Sequence, residues 1–198
     1  GGLGRGLGGG AGGRFWWGRG RFRGRRRLRA LVSGVIARWW RHLTMTPWAL
    51  GRAFSPATLA AIDAAVAAGE RVTQAEIRVA VETGFGLREL WAGLSPRARA
   101  LEVFSALRVW DTAGNNGVLI YVLLAEHDIE IVADRAFAAR VPAAEFAAIC
   151  TGLQAAFAAG DYRGGTVAAV TALARLAAPH FPPAAANPNE LPDSTVLL

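Results

Sequence analysis

Apolar residues recur at a helical spacing near the start of the most regular part of the chain. Leu59, Ile62 and Val66 follow Ser55-Pro56 at intervals of three and four residues. Serine caps the first turn of a helix and proline fits its first position, so Ser55-Pro56 indicates a helix start. The pattern predicts a helix that ends near Gly69.

Polar and apolar residues then alternate from Glu76 to Glu82, which predicts a strand with one side facing the core. Residues 84–94 contain three glycines and are expected to form a loop. Ser95-Pro96 repeats the cap-and-proline pattern and predicts a second helix.

The most apolar run of the chain is Val118 to Ala125, a short and β-branched segment. It predicts a central strand that is buried on both faces. His127-Asp128 is expected to form a tight turn, after which Ile129 to Ala133 returns as an antiparallel strand.

Two further helices are predicted in the C-terminal third. Pro142 opens the first, which ends at Gly160, and Gly164-Gly165 precedes the second, which stops before Pro179. The order α-β-α-β-β-α-α makes the first two strands parallel across a helical crossover and the last two a hairpin. The predicted fold class is α/β, a three-layer α/β/α sandwich with a small mixed sheet.

Charge is distributed unevenly along the chain. No Asp or Glu precedes Asp63, whereas twelve of the 22 basic residues lie at or before Arg52. The first 62 residues therefore carry about +12 and the remainder about −5. This asymmetry predicts a largely disordered basic arm over residues 1–50, the α/β domain over residues 51–182, and an extended tail over residues 183–198.

The arm interleaves arginine with tryptophan and phenylalanine over residues 14–48. An anionic membrane surface would attract the guanidinium groups while tryptophan settles at the bilayer interface. Nucleic acid would also attract arginine, with aromatic rings stacking on bases, and is the weaker of these two alternatives. The third alternative is a disordered leader that is only incidentally basic, or residues translated upstream of the true start.

The composition excludes several classes of function. The chain has no Lys, which excludes a Walker phosphate loop, a Schiff-base mechanism and a catalytic Lys. Cys150 is the only cysteine, which excludes an intrachain disulfide and a thiolate metal cluster. The longest apolar stretch near the N terminus is far shorter than the roughly 20 residues that span a bilayer.

Strand directions are expected to bring polar residues from distant parts of the sequence to one end of the sheet. The first strand starts, the second starts and the third ends at this edge. Three carboxylates and two amides, without His or Cys, are the ligands that Ca²⁺ or Mg²⁺ prefers. The predicted metal cluster consists of Glu76, Asp111, Asn115, Asn116 and Asp134.

Structural roles for the same residues are the alternative. Asp111 and Asn115 would then be turn residues that satisfy their own backbone. Asp134 would form a surface ion pair with Arg135 or Arg78. In a phosphate-binding version of the site, Arg135 would steady the phosphate. The sequence offers no catalytic residue with a specific signature, since it has no GxSxG elbow and no serine with an evident histidine partner.

Several blocks of sequence resemble a known family. The run from Trp110 to Tyr121 contains the letters NGVLI and resembles the signature of the TPM domain family, also called the repair-of-photosystem-II phosphatase domain. Glu130 to Arg135 is similar to the EIVADR block of a short bacterial branch. Glu76 to Arg78 and Arg97 to Phe104 resemble the first strand and a helix of that branch. The similarity extends over about residues 38–198.

The resemblance implies an α/β/α sandwich, and relatives include acid phosphatases, Ca²⁺-binding proteins and accessory proteins at membranes. After the third strand, however, residues 133–136 replace the GxG turn of the better-described branch. We therefore expect a non-catalytic accessory module in the cytoplasm, peripheral at the inner face of the membrane. It would bind a protein partner through the domain and lipid through the arm. A metal-dependent phosphatase that uses Asp111 and Asp134 as ligands is the alternative.

Overall fold

The computed structural model describes residues 36–42, 47–183 and 189–198. The predictions for the Gly-rich start and for most of the basic arm lie outside the described residues. The described chain belongs to one compact unit that spans Ile36–Leu198. This unit includes residues at the end of the segment that the charge pattern assigns to the arm.

Helices and strands alternate along the described chain. In chain order they are a helical segment over residues 36–42 (α1), α2 (Pro47–Ala53), α3 (Pro56–Glu70), β1 (Ile77–Glu82), α4 (Leu87–Trp91), α5 (Pro96–Ala106), β2 (Val118–Leu123), a 3₁₀ turn (Leu124–Glu126), β3 (Asp128–Ala133), α6 (Arg135–Ala138), α7 (Ala143–Ala158), α8 (Tyr162–Ala177) and β4 (Val196–Leu197).

Serine caps start two helices as the sequence predicts. Ser55 Oγ accepts a hydrogen bond from the Thr58 N–H at 3.2 Å, and α3 begins at Pro56. Ser95 Oγ accepts from the Ala98 N–H at 3.2 Å, and α5 begins at the following proline. In both helices a side-chain oxygen satisfies an N–H that has no partner within the helix.

The sheet is mixed, and its strand order is β3-β2-β1-β4. β1 and β2 run parallel with Ile77 opposite Val118, and β2 and β3 run antiparallel with Val118 opposite Ala133. Both pairings agree with the predicted crossover and hairpin. The short C-terminal strand β4 adds a fourth strand parallel to β1.

The strand β4 changes the environment of β1. The sequence predicts a strand with one side facing the core, but all six residues of β1 are buried, so this prediction is wrong. β1 is an interior strand with β2 on one side and β4 on the other. Its polar residues therefore lie inside the protein and need partners there.

A short helix replaces part of the predicted loop over residues 84–94. α4 occupies Leu87–Trp91 and is flanked by Gly86 and by Gly93, which has φ of +67°. Glycine is the residue that adopts positive φ without steric cost, and it ends the helix here. A five-residue helix between two glycines has too few residues to show helical periodicity.

Helices cover both faces of the sheet, which confirms the three-layer sandwich. On one face, side chains of β1 and β2 such as Ile77 and Ile120 pack against α3, α7 and α8. On the other face, Leu119 and Tyr121 pack in a second core with residues of α4 and α5, including Leu90 and Val103. Apolar side chains on both faces of the sheet are thereby removed from water.

Candidate functional site

The backbone brings the predicted site segments together at one end of the sheet. The Val118 N–H donates to the Glu76 carbonyl at 2.8 Å, and the Asp134 N–H donates to the Gly117 carbonyl at 2.8 Å. The Ala136 N–H donates to the Asn115 carbonyl at 3.1 Å. The side chains of these segments, however, point to different partners.

The two asparagines and Asp111 take part in local structure. Asn115 has φ of +49°, and its Oδ1 accepts hydrogen bonds from Arg135 Nε at 3.1 Å and Nη2 at 2.7 Å. Asn116 is buried, and its Nδ2 donates to the Gln74 carbonyl at 2.7 Å. Asp111 is exposed, with its Oδ2 3.8 Å from Arg108 Nη1. All three hold the loop before β2 in place.

Asp134 caps the short helix α6. Its Oδ1 accepts from the Arg135 N–H at 2.7 Å, while its Oδ2 is buried and has no hydrogen-bond partner among the described residues. The Arg135 side chain is exposed and turns to Asn115. Asp134 Oδ2 is thus a buried oxygen of the predicted cluster that could accept a further hydrogen bond or bind a cation.

Glu76 lies apart from these residues and binds the C-terminal segment. Its side chain is buried, and its two carboxylate oxygens accept from the Glu190 and Leu191 N–H groups at 3.4 and 3.2 Å. Burial raises the pKa of Glu76, and the two amide hydrogen bonds oppose this rise. Glu76 therefore holds the segment that leads to β4.

The acidic side chains of the described residues do not by themselves form a group that could hold a metal ion. Within residues 36–42, 47–183 and 189–198, no group of three or more His, Cys, Asp or Glu side chains is arranged to hold a metal ion. The site for Ca²⁺ or Mg²⁺, which includes two asparagines, stays a prediction.

Sequence reasoning missed the residues that surround Glu76. A small pocket of about 160 Å³ is lined by Glu70, Glu76, Asn189 and Asp193, among others. Nearby Arg78 is only 5% exposed, and its Nε and Nη1 have no hydrogen-bond partner among the described residues. Glu76 and Arg78 alternate with apolar residues, and this pattern predicts that both side chains face solvent. The sequence pattern does not predict β4, which makes β1 an interior strand.

The acidic pocket predicts a dependence of stability on pH. Burial, reinforced by Glu76 and Asp193, raises the pKa of Glu70 from 4.5 to about 8. Between these two values the folded state binds more protons than the unfolded state, so stability falls as pH rises. We expect Glu70→Gln to reduce this fall, measured as the unfolding midpoint at pH 5 and pH 8. Glu89→Gln, at a half-buried position of α4, is the control, and an unchanged slope in Glu70→Gln would contradict the assignment.

On the other face of the sheet, α1 is fixed to the loop that contains α4. His42 Nδ1 accepts from the Phe85 N–H at 2.8 Å, so the ring proton lies on Nε2, which donates to Glu126 Oε1 at 2.7 Å. Arg38 Nε donates to the same oxygen at 2.7 Å. Burial would raise the pKa of Glu126, but the hydrogen bonds from Arg38 and His42 outweigh it and lower the pKa.

Large apolar side chains are exposed beside this contact. Trp91 at the end of α4 is 84% exposed and Leu87, one turn earlier, is 60% exposed. The Trp91 ring meets Trp39 edge-on with 6.0 Å between centroids. Leu101 and Trp110, on α5 and in the turn after it, are also exposed. We call the surface formed by Leu87 and Trp91 on α4 the aromatic face.

In the part of the chain that the structure describes, no helix has the length and apolar character needed to cross a bilayer.

Comparison with known proteins places the fold in a family. The family model of the TPM domain matches residues 51–176. The BA42 protein from the psychrophilic bacteria Bizionia argentinensis, with a structure determined by NMR, is similar with a TM-score of 0.65 and 26% sequence identity. The match covers 72% of this chain and 94% of BA42. No curated protein matches the chain. The family model spans more than half of the sequence, and the chain therefore belongs to the TPM domain family.

Proposed function

We propose that the protein is a non-catalytic interaction module that binds an anionic membrane surface through its aromatic face. The observation that carries this proposal is the exposure of Trp91, which presents 84% of its surface to solvent. Tryptophan prefers the boundary between water and lipid because its ring is amphipathic. An exposed cluster of large apolar side chains is characteristic of an interaction site.

The local geometry of α4 suits such contact. Leu87 and Trp91 are four residues apart and therefore project from the same side of the helix. Trp39 supports the Trp91 ring from one side, so part of the side-chain entropy is already lost before binding. Arg88 lies between them and is exposed, where its guanidinium can reach a lipid phosphate.

The charge of this region also favours an anionic surface. Residues 87–110 contain four Arg and two Glu, whereas residues 63–198 as a whole contain ten Arg and 15 acidic residues. Arg97, Arg99 and Arg108 of this segment pair with Glu130, Glu82 and Asp111, whereas exposed Arg88 on α4 has no ion-pair partner among the described residues. The twelve Arg that precede Asp63 would add to the attraction, each by about 1 kcal/mol when close to the surface.

The hydrogen bonds at the end of the sheet support a non-catalytic role. The Glu76 carboxylate binds backbone amides of the C-terminal segment, and Asn115 Oδ1 binds Arg135. A catalytic metal held by Glu76 and Asn115 would have to displace these partners. Hydrolysis of p-nitrophenyl phosphate that requires Ca²⁺ or Mg²⁺ and is lost in Asp134→Asn would contradict the proposal and favour the phosphatase alternative.

Vesicle binding tests the proposal. We expect the full chain to co-sediment with vesicles of phosphatidylglycerol and phosphatidylcholine, and much less with phosphatidylcholine alone. The double variant Leu87→Ala/Trp91→Ala is expected to bind about tenfold more weakly or worse, because each large side chain contributes roughly 1.5–3 kcal/mol when buried and 1.4 kcal/mol is a factor of ten.

The matched control is Val72→Ala, which removes a half-exposed apolar side chain next to α3, on the other helical layer. It should bind like the unmodified chain. Equal binding by the double variant and the control would show that the aromatic face does not contact lipid.

A further inference from the structure

The outer surface of α7 and α8 is unusually poor in charge and in large side chains. α7 contains one charged residue, Glu145, in 16 positions. The two helices enclose an open groove with a volume of about 660 Å³. Its walls include small residues at intervals of four: Ala148, Gly152 and Ala156 on α7, and Gly164, Ala168 and Ala172 on α8. Solvent-exposed helices normally carry long charged side chains, so this surface has the composition of a contact surface.

The groove lies between two antiparallel helices. α7 and α8 are joined by three residues, which makes them neighbours that run in opposite directions. Residues near the start of α7 therefore lie beside residues near the end of α8. Each helix of 16 residues is about 24 Å long, long enough for several turns of contact with another helix.

Opposite charges stand on the two walls at one end of the groove. Glu145 lies on the α7 wall and Arg175 on the α8 wall, and both side chains belong to exposed residues. Among the described residues neither one takes part in an ion pair. Both charges are thus available to a partner.

We propose that the α7–α8 surface is the interface of a homodimer. A two-fold axis that runs along the groove places α7 of each copy over α8 of the other. Glu145 then faces Arg175 of the partner subunit, and Arg175 faces Glu145 of the partner subunit. The arrangement is self-complementary, as a two-fold interface requires. The small residues let the helix backbones approach closely, and antiparallel packing of α7 on α8 is favourable for their dipoles.

The dimer interface is compatible with the proposed membrane surface. α7 and α8 pack on the face of the sheet that also carries α3, whereas α4 and α5 cover the opposite face. Dimerisation would therefore leave Leu87 and Trp91 accessible. The dimer does not depend on the membrane proposal, and each can fail without the other.

Charge reversal tests the interface. Sedimentation velocity of the full chain over a range of concentrations should show a monomer–dimer equilibrium. E145R and R175E should each weaken dimerisation by about tenfold or more. Each substitution places like charges at both of the contacts that the two-fold axis relates. An equimolar mixture of E145R and R175E should recover the dimer, because both contacts in the mixed dimer join opposite charges.

Gly152 provides a steric test that leaves the fold intact. A Cβ atom added at Gly152 meets nothing within 4 Å, so Gly152→Trp should fold normally, as judged by circular dichroism, but block the groove. The proposal is overturned by a chain that stays monomeric at the highest soluble concentration. It is equally overturned by a dimer that E145R, R175E and Gly152→Trp leave unchanged, or by a mixture of E145R and R175E that fails to recover dimerisation.

Discussion

Replacing Gly117 by alanine is expected to lower the free energy of unfolding by about 3 kcal/mol or more. The added methyl group would meet backbone atoms, which cannot move aside as a flexible side chain can, so the loss exceeds that of an ordinary core substitution. The added Cβ would lie 1.9 Å from the carbonyl oxygen of Val109, which is fully buried. The backbone of the loop or of β2 would have to move. Gly117 also accepts the Asp134 N–H, so the movement would loosen the end of the sheet. Urea unfolding monitored by circular dichroism measures the loss.

The matched control for Gly117→Ala is Gly152→Ala. Gly152 lies inside α7, where an added Cβ meets nothing within 4 Å. Alanine is a better helix former than glycine, so this variant should gain about 0.5–1 kcal/mol. Equal effects of the two substitutions would mean that the close approach of Gly117 to Val109 is not a constraint on the fold.

The second large effect concerns a buried network on the α5 side of the sheet. The Tyr121 hydroxyl donates to Glu82 Oε2 at 2.6 Å, and both side chains are buried. Arg99 reaches the same carboxylate from α5 through Nε at 2.9 Å and Nη2 at 3.2 Å. Hydrogen bonding to Glu82 raises the pKa of Arg99, while burial and the same carboxylate raise the pKa of Tyr121. Arg99 is thus the cation that balances the buried charge of Glu82.

We expect Arg99→Met to lower the free energy of unfolding by about 2–4 kcal/mol. This is slightly less than the loss of one partner of a fully buried ion pair, because part of Arg99 contacts water. The loss comes from leaving Glu82 charged and without its partner. Removing both charges in Glu82→Leu/Arg99→Met should restore part of the stability. Arg88→Met, at an exposed position of α4, should change the unfolding free energy by less than about 0.5 kcal/mol. An Arg99→Met variant as stable as Arg88→Met would refute the role of this network.

Local sequence patterns account for most of the fold. The Ser-Pro pairs before α3 and α5 predict helix starts that depend only on neighbouring residues. The apolar run of β2 predicts its burial on both faces, and the turn after it predicts the hairpin with β3. These features could be found because each is determined within about ten residues of sequence.

Long-range contacts explain what the sequence pattern does not predict. β4 has two residues, Val196 and Leu197, and pairs with β1 more than 110 residues earlier in the chain. Without β4, the alternating pattern of β1 predicts that its polar residues face solvent. The same contact explains why Glu76 binds the amides of Glu190 and Leu191.

Strand direction predicts where some of the candidate segments lie, but not which partners their side chains have. Strand direction correctly brings the segments of Asn115, Gly117 and Asp134 to one end of the sheet. Side-chain direction depends on hydrogen-bond partners such as Arg135 and Gln74, which no sequence motif specifies. The aromatic face was missed because its exposure follows from α4, a helix with too few residues to predict.

Hydrogen–deuterium exchange of the full chain on anionic vesicles tests the central claim most directly, because it locates the contact surface along the sequence. The account predicts slower exchange over residues 87–91 when phosphatidylglycerol vesicles are added, with no change over residues 143–158. Slower exchange that is confined to residues before Ile36, with residues 87–91 unaffected, would contradict the account and leave the domain without a membrane-binding role.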